Sequence, residues 1–350
     1  MQKVLIAMSG GVDSAVTAFL CKNRGFDCRG VTMKLWRKSG EDVSCTTSGD
    51  IEDARYAAKI CDIPYEVCNF SGEFEKCVIE PFVLAYETGK TPNPCIECNR
   101  KLKFKKLMEH ALDIGCDFVA TGHYARIEFE NGRYLLKKGI DENKDQSYVL
   151  YSLTQSQLAC TLFPLGSYKK QEIYEIAKEN KLFLHPKAES QDICFVPDGD
   201  YVSFIKSYKN KEYPEGYFVS TDGKTLGRHR GIIAYTVGQR KGLGISSSAP
   251  LRVISKDVQN NRIILGTAED LKRNSADCKN INLIAYEKLD SPIKATVKTR
   301  YKQAEIPATV FQTDTDSLHI EFDTPSSLVC PGQALVIYDG DTVIGGGTIV

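Results

Sequence analysis

A chain of 350 residues is long for one average domain and predicts two or three. Its 42% hydrophobic and 26% charged residues are those of an ordinary globular protein, and no apolar run approaches the ~18 residues of a membrane span. Equal numbers of basic and acidic side chains, 45 of each, exclude a globally basic nucleic-acid binder, so such a partner has to be met by local patches.

The first eight residues are not a signal peptide, because the apolar run is short and leads into Gly10-Gly11. A cytoplasmic protein with no membrane contact is expected. Thirteen cysteines without a secretion signal argue against a structural disulfide framework, and most should be small buried hydrophobes.

Residues 4–8 form a continuous apolar run, as in a strand buried on both faces. Ser9-Gly10-Gly11-Val12-Asp13-Ser14 follows, then a helix over 15–24 stopped by Gly25. Further strands are predicted over 30–35 and 65–69, with a helix over 50–61 capped by Asp50 between them. Helices over 73–86 and 99–112 precede a fourth strand over 117–121, which ends at Gly122-His123. This alternation predicts a mainly parallel sheet with helices on both faces. A hairpin over 125–138 turns at Asn131-Gly132, and helices over 155–161 and 169–180 come next. From about Asp200 onward glycine and β-formers dominate, and short strands over 293–300, 308–312, 318–322 and 334–338 predict a small β-barrel or sandwich.

The turn at 9–14 has the makings of a phosphate site. Glycines let backbone N–H groups converge on an anion, and the helix N-terminus adds positive potential. Ser9 and Ser14 add hydroxyls, and Asp13 is placed to hold Mg²⁺. The spacing matches neither Gly-x-x-x-x-Gly-Lys-Ser/Thr nor Gly-x-Gly-x-x-Gly, which excludes the P-loop and dinucleotide readings. Met33 and Gly122 fall at the carboxyl edge of the predicted sheet, where an adenine would lie. A second motif, Thr91-Pro92-Asn93-Pro94-Cys95-Ile96-Glu97-Cys98-Asn99, is a stiff loop before a helix that Asn99 is expected to cap. Six Lys/Arg and one Glu lie between Lys90 and Lys106, so Cys98 is expected to be a reactive thiol of lowered pKa. Cys-x-x-Cys alone leaves a redox pair, half a zinc site and two cluster ligands open.

Six motifs in order then point to a family: those two, Thr121-Gly122-His123-Tyr124-Ala125, Lys144-Asp145-Gln146-Ser147-Tyr148, Ser190-Gln191-Asp192-Ile193-Cys194-Phe195, and Tyr235-Thr236-Val237-Gly238-Gln239-Arg240-Lys241-Gly242. The chain resembles the tRNA-specific 2-thiouridylases nearly end to end. The resemblance implies an N-terminal parallel-sheet PP-loop (adenine nucleotide alpha hydrolase-like) domain over 1–200, a small β-rich central domain over 201–278 and a C-terminal tRNA-contacting β-barrel over 279–350. It implies that ATP with Mg²⁺ adenylates the 2-carbonyl oxygen of the wobble uridine in tRNA for Lys, Glu and Gln, that pyrophosphate leaves, and that sulfur displaces AMP. Ala7, Met8, Ser9, Gly10, Gly11, Val12, Asp13, Ser14, Met33 and Gly122 match the ATP site. Cys98 matches the nucleophile and Cys194 the persulfide carrier, with a transient disulfide between them. Asn93, Pro94 and Cys95 match the segment that touches the target base. Lys144, Asp145, Gln146, Arg300 and Tyr301 match tRNA contacts, and His123 and Gln333 match a pair flanking the flipped-out uridine. A sulfur relay protein or another persulfide donor is implied as partner.

One position departs. Many members carry Asp where this chain has Cys95. Cys95, Cys98 and Cys194 make three thiolate ligands, enough for a 4Fe-4S cluster with one open iron, so persulfide and cluster routes both stay open. Two basic runs suit an RNA partner: Lys224, Arg228, Arg230, Arg240 and Lys241, then Lys294, Lys298, Arg300 and Lys302. A PP-loop small-molecule ligase or amidotransferase is the alternative enzyme, and it has no use for Cys98, Cys194 or a basic β-domain. A non-catalytic tRNA-binding module is the third class, and it has no use for Asp13.

Overall fold

The computed structural model describes residues 1–36, 46–184 and 193–350. The chain opens with β1 (Lys3–Ala7), α1 (Val12–Asn23), β2 (Asp27–Lys34), α2 (Ser48–Ile60) and β3 (Tyr65–Asn69). Val4, Leu5 and Ile6 are wholly buried, as the uninterrupted apolar run requires. Gly25, with φ +84, ends α1. The cap of α2 is Thr47 and not Asp50. The Thr47 hydroxyl accepts from the Asp50 N–H while the Asp50 carboxylate takes the Thr47 N–H, so Asp50 is the second half of a capping box.

Next come α3 (Ser71–Phe74) and α4 (Glu80–Glu87), joined by a π-helical turn, then α5 (Pro94–Cys98) and α6 (Leu107–Asp113), joined by a longer one over Asn99–Lys106. Asn93 caps α5 by accepting from the Cys95 N–H. The helix therefore starts before Asn99, whose side chain is instead buried and donates to the Val149 carbonyl at 3.0 Å. β4 (Phe118–Ala120), the hairpin β5 (Ala125–Glu130) and β6 (Arg133–Lys138), α7 (Gln155–Ala159), β7 (Thr161–Leu162) and α8 (Lys170–Glu179) complete this part. Asn131 and Gly132 have φ of +50 and +79, the left-handed pair a two-residue hairpin turn demands.

The first sheet is parallel throughout, in the order β3-β2-β1-β4-β7. The chain moves outward from β1 through β2 to β3, then returns to the other side of β1 with β4. The reversal between β1 and β4 opens a crevice at their carboxyl ends. Residues 8–11 and 121–123 lie there.

α9 (Tyr201–Lys209) follows where only β structure was expected; Asp200 caps it through the Ser203 N–H. The central sheet joins β8 (Gly216–Ser220), β9 (Thr225–His229), β10 (Arg252–Asp257) and β11 (Arg262–Gly266) in the order β10-β11-β8-β9. The last part contains β12 (Arg273–Leu283), β13 (Ile293–Lys298), β14 (Ile306–Asp314), β15 (Ser317–Ser326), β16 (Ala334–Asp339) and β17 (Thr342–Ile349). β12 pairs with both β15 and β17, which closes these six strands into a barrel. The boundary expected after residue 278 falls inside β12. The hairpin β5–β6 is hydrogen-bonded to the outside of β17. A single apolar cluster joins Phe74, Phe82 and Tyr86 to Phe195, Phe218, Val253 and Cys330, so the three parts share a core. Among the described residues no helix is long and apolar enough to cross a membrane.

Candidate active site

The turn after β1 is built by its own hydrogen bonds. The Ser14 hydroxyl donates to the Gly11 carbonyl at 2.9 Å and accepts the Ser9 N–H at 3.1 Å. Thr32 donates to the Met8 carbonyl at 2.6 Å, tying the turn to β2. Gly10 has φ +77, and any Cβ there would collide with the Asp50 carbonyl in the first turn of α2. Gly11 precedes α1 with no side-chain cap, so the first N–H groups of the helix are left to an anion.

Asp13 faces the crevice with two partners on one oxygen. The Lys170 Nζ donates to Asp13 Oδ1 at 2.7 Å and the Tyr124 hydroxyl donates to the same atom at 2.7 Å. Neither uses Oδ2. Gly122 is pressed against Asp13: a Cβ at this position would sit 3.1–3.3 Å from the Asp13 backbone and Cβ. Gly122 thus has a packing reason of its own to be glycine. Met33 is half-buried, and its carbonyl accepts from the Thr46 hydroxyl at 2.9 Å.

His123 continues the same wall. It is buried, shares a 2.7 Å hydrogen bond between Nδ1 and the Thr121 hydroxyl, and packs against Phe104 and Phe163 at 5.8 Å from each ring. Burial, with a contribution from the Lys103 cation, holds its pKa well below the usual imidazole value, so the ring is neutral. Lys103 also acts on Cys95 and Cys98, the two thiols at the start of the preceding helix. Cys98 is buried in the first turn, and its thiol is pushed up to about 12 because desolvation outweighs Lys103. The lowered pKa expected for Cys98 is therefore not what this state holds. Apart from Lys103, several basic residues of this run pair locally: Arg100 and Lys101 both bridge to Glu97, at 2.8 and 2.9 Å. Cys95 lies at the surface of the same concavity; desolvation raises its thiol too.

Cys194 stands 96 positions further on, and its charge raises the pKa of both Cys95 and Cys98, which places the three thiols together. Cys194 is exposed, whereas the next residue, Phe195, is locked among Phe74, Phe82 and Phe204 at 5.2–5.7 Å. The sulfur is thereby carried at the edge of a rigid aromatic nest. Ser190, Gln191 and Asp192 of that motif lie outside the described residues. Among the described cysteines no disulfide is formed.

An ATP-type loop and a three-thiol cluster therefore meet across one wall. Residues 2–198 match the family described as tRNA methyl transferase HUP domain. Residues 202–267 match the tRNA methyl transferase PRC-barrel domain, and residues 273–349 match the aminomethyltransferase beta-barrel domain. A tRNA-specific 2-thiouridylase MnmA of Clostridioides difficile is 47% identical, over 99% of this chain and 98% of its own. Namesakes from Clostridium kluyveri and Lachnoclostridium phytofermentans are 44% and 45% identical, over 99% and 100% of this chain and 99% and 100% of their own. The chain belongs to the tRNA-specific 2-thiouridylase family.

The other positions matched to this family divide by what they touch. Asn93 caps α5, and Pro94 is buried behind Cys95. Gln333 donates to the Thr91 carbonyl at 2.8 Å, and the Thr91 N–H donates to the Pro331 carbonyl at 2.9 Å, so the barrel holds the entrance of the thiol loop. Asp145 accepts from the Gly139 and Ser147 N–H groups at 3.1 Å each and from the Ser147 hydroxyl at 2.8 Å; Gln146 accepts the Tyr124 N–H at 3.0 Å. Both side chains shape the segment that carries Tyr124. Lys144 sits in the preceding turn, half-buried. Arg300 donates to the Val237 carbonyl at 2.9 Å and Tyr301 to the Asp145 carbonyl at 3.0 Å, which ties the barrel to the other two parts. Of the basic run in the barrel, Lys298 lies 3.9 Å from Glu305, which Lys138 also bridges at 2.5 Å, and Lys294 lies 3.4 Å from Asp323.

Lys170, Lys103 and the role of Tyr124 were missed by sequence reasoning. Tyr124 was inside a recognised motif, and Lys103 inside the basic run, so both had a signal. Lys170 had none, since it reaches Asp13 across 157 positions.

Proposed function

We propose that this protein is an ATP-dependent tRNA-uridine 2-sulfurtransferase. The observation that carries the reading is the shared wall from Asp13 through Gly122 and His123 to Lys103, with Cys95, Cys98 and Cys194 at its far end. Methyl transfer, the word in the matched domain descriptions, gives that thiol cluster no task, and neither does a small-molecule ligase.

In this reading ATP lies at the carboxyl ends of β1 and β4, its phosphates on residues 9–14 and α1. Asp13, which Lys170 and Tyr124 hold by its other carboxylate oxygen, would be the residue to hold Mg²⁺, which would neutralise charge on the phosphates. The 2-carbonyl oxygen of the wobble uridine attacks the α-phosphorus and pyrophosphate leaves. The terminal sulfur of a Cys194 persulfide then attacks C2, and AMP departs with the oxygen. The Cys98 thiolate attacks the Cys194 sulfur, releasing 2-thiouridine and leaving a Cys98–Cys194 disulfide, which a dithiol reductant reopens. The neutral His123 offers a flat, uncharged edge for the extruded base beside Phe104. We assign catalysis to residues 1–200, support to 201–278 and tRNA contact to 279–350, with Asn93, Lys144, Asp145, Gln146, Arg300, Tyr301 and Gln333 on the RNA side. The substrates are the anticodon stem-loops of tRNA for Lys, Glu and Gln, in the cytoplasm, with sulfur from a relay protein or another persulfide donor.

Cys95 favours a second form of the sulfur step. Its thiol joins Cys98 and Cys194 in mutual electrostatic contact, and these three residues would hold a 4Fe-4S cluster, whose binding would release the protons that burial keeps on them. When bound, such a cluster supplies sulfide in place of the protein persulfide.

The test is pyrophosphate release and 2-thiouridine formation with ATP, Mg²⁺, tRNA and a persulfide donor. C98A is expected to abolish thiolation while retaining tRNA-dependent ATP–pyrophosphate exchange; full thiolation by C98A would sink the reading. C95D separates the two forms, since it keeps activity on the persulfide route and loses activity and anaerobically bound iron on the other.

A further inference from the structure

Away from the thiol cluster, Glu66, Cys68 and His110 bring a carboxylate, a thiol and an imidazole to one point. Glu66 and Cys68 are alternate residues of β3, the edge strand of the parallel sheet, and so share a face. His110 comes from α6, which covers that face. Its Nε2 lies 3.0 Å from Glu66 Oε1 and 3.4 Å from Cys68 Sγ, and the three ligand atoms all fall within 4.8 Å of one another. All three residues are half-buried.

One imidazole nitrogen here faces two heteroatoms, although it carries at most one hydrogen. A single cation in the gap would engage all three lone pairs at once. Tetrahedral zinc, with bonds of ~2.0–2.3 Å, spaces N, O and S ligand atoms roughly 3.3–3.6 Å apart. The two measured separations differ from that by a few tenths of an ångström at most, within reach of small side-chain rotations. A thiolate and an imidazole select a zinc-class ion over magnesium or calcium. Two elements remote in sequence supply the donors, which makes a preformed cradle and not a local turn.

We propose that Glu66, Cys68 and His110 form a binding site for a zinc-class divalent cation, which displaces the Cys68 proton and pins α6 to the sheet edge, leaving a fourth position for water. His110 is 12 residues beyond Cys98, about three turns along one continuous helical run, so the site is distinct from the sulfur-transfer thiols.

Cobalt(II) is the probe. The chelator-stripped protein is titrated and followed by the sulfur-to-cobalt charge-transfer band and the visible ligand-field bands, beside thermal melts with and without Zn²⁺. One equivalent is expected to bind and to raise Tm in the wild type and in C98S. In C68S the charge-transfer band and the Zn²⁺-dependent rise in Tm are expected to be lost, and in H110Q the rise in Tm. E66Q, the mildest change, tests the site if the others unfold, and should weaken cobalt binding. Equal binding by wild type and C68S would overturn the proposal, as would a band lost in C98S but retained in C68S, or no binding by the wild type.

Discussion

Lys170 and Tyr124 both donate to Oδ1 of Asp13. A carboxylate that two donors hold by one oxygen is fixed in rotation and presents the other, so in the proposed mechanism these residues would orient Asp13 toward a cation before ATP arrives. Hydrogen bonds to a charged group are worth about 1.5–3 kcal/mol, hence roughly ten- to a hundredfold in rate. K170M is expected to lower the rate of ATP–pyrophosphate exchange by about that factor, and Y124F by less, since the lysine charge remains. Exchange kinetics at saturating and limiting ATP measure both; wild-type exchange by K170M would show that the contact only holds α8 in place. The residues of this centre were legible to differing degrees. Asp13 and Cys98 sit in motifs with a physical signature. The state of the Cys98 thiol did not show in the sequence, because two of the basic residues that suggested activation, Arg100 and Lys101, are spent on Glu97 while burial acts on Cys98 itself.

At the level of elements, the joint between the phosphate turn and α2 is the tightest. Gly10 holds a left-handed conformation with the Asp50 carbonyl where a side chain would start, and Asp50 is itself fixed by its box with Thr47. G10A should therefore cost about 1–3 kcal/mol in strain and displace the turn, lowering Tm and weakening ATP binding together. Calorimetry of ATP binding and a thermal melt check this; a variant that binds ATP normally would mean that the turn relaxes freely. The strands around this joint were readable because burial on both faces writes a continuous apolar run. Caps were less so: Thr47 and Asn93 were passed over for Asp50 and Asn99, which share their chemistry and lie within one or two helical turns. α9 was missed because its nine residues are rich in β-formers, and it is held by aromatic packing of Phe204 on Trp36, Phe82 and Phe195.

For the molecule as a whole, buried thiols set a limit in alkali. Burial raises Cys21, Cys98 and Cys278 to about 12, and Cys28 and Cys61 to about 11, from 9.0. Below pH 9 both folded and unfolded chains keep these protons. Above it the unfolded chain releases them first, so stability falls as pH rises from 9 toward 11–12. Lys256 works the other way: burial lowers it from 10.5 to about 8, so its cost is relieved over that interval. Five thiols against one amine predict a net fall in Tm between pH 9 and 10.5, and a level or rising Tm in pH-stepped melts would contradict it. The barrel was legible as a class from its short strands, but its membership was not, since partners distant in sequence decide it. The hairpin β5–β6 shows this best. It reads as a local unit, yet β6 pairs with β17, and Arg126 bonds Asp341 at 3.0 Å across 215 positions. During synthesis this hairpin leaves the ribosome long before its partner exists. An unsatisfied strand edge then stands open in the nascent chain for the time taken to translate some two hundred codons, so chaperone shelter or slow docking of the amino-terminal portion would set the yield of active molecules.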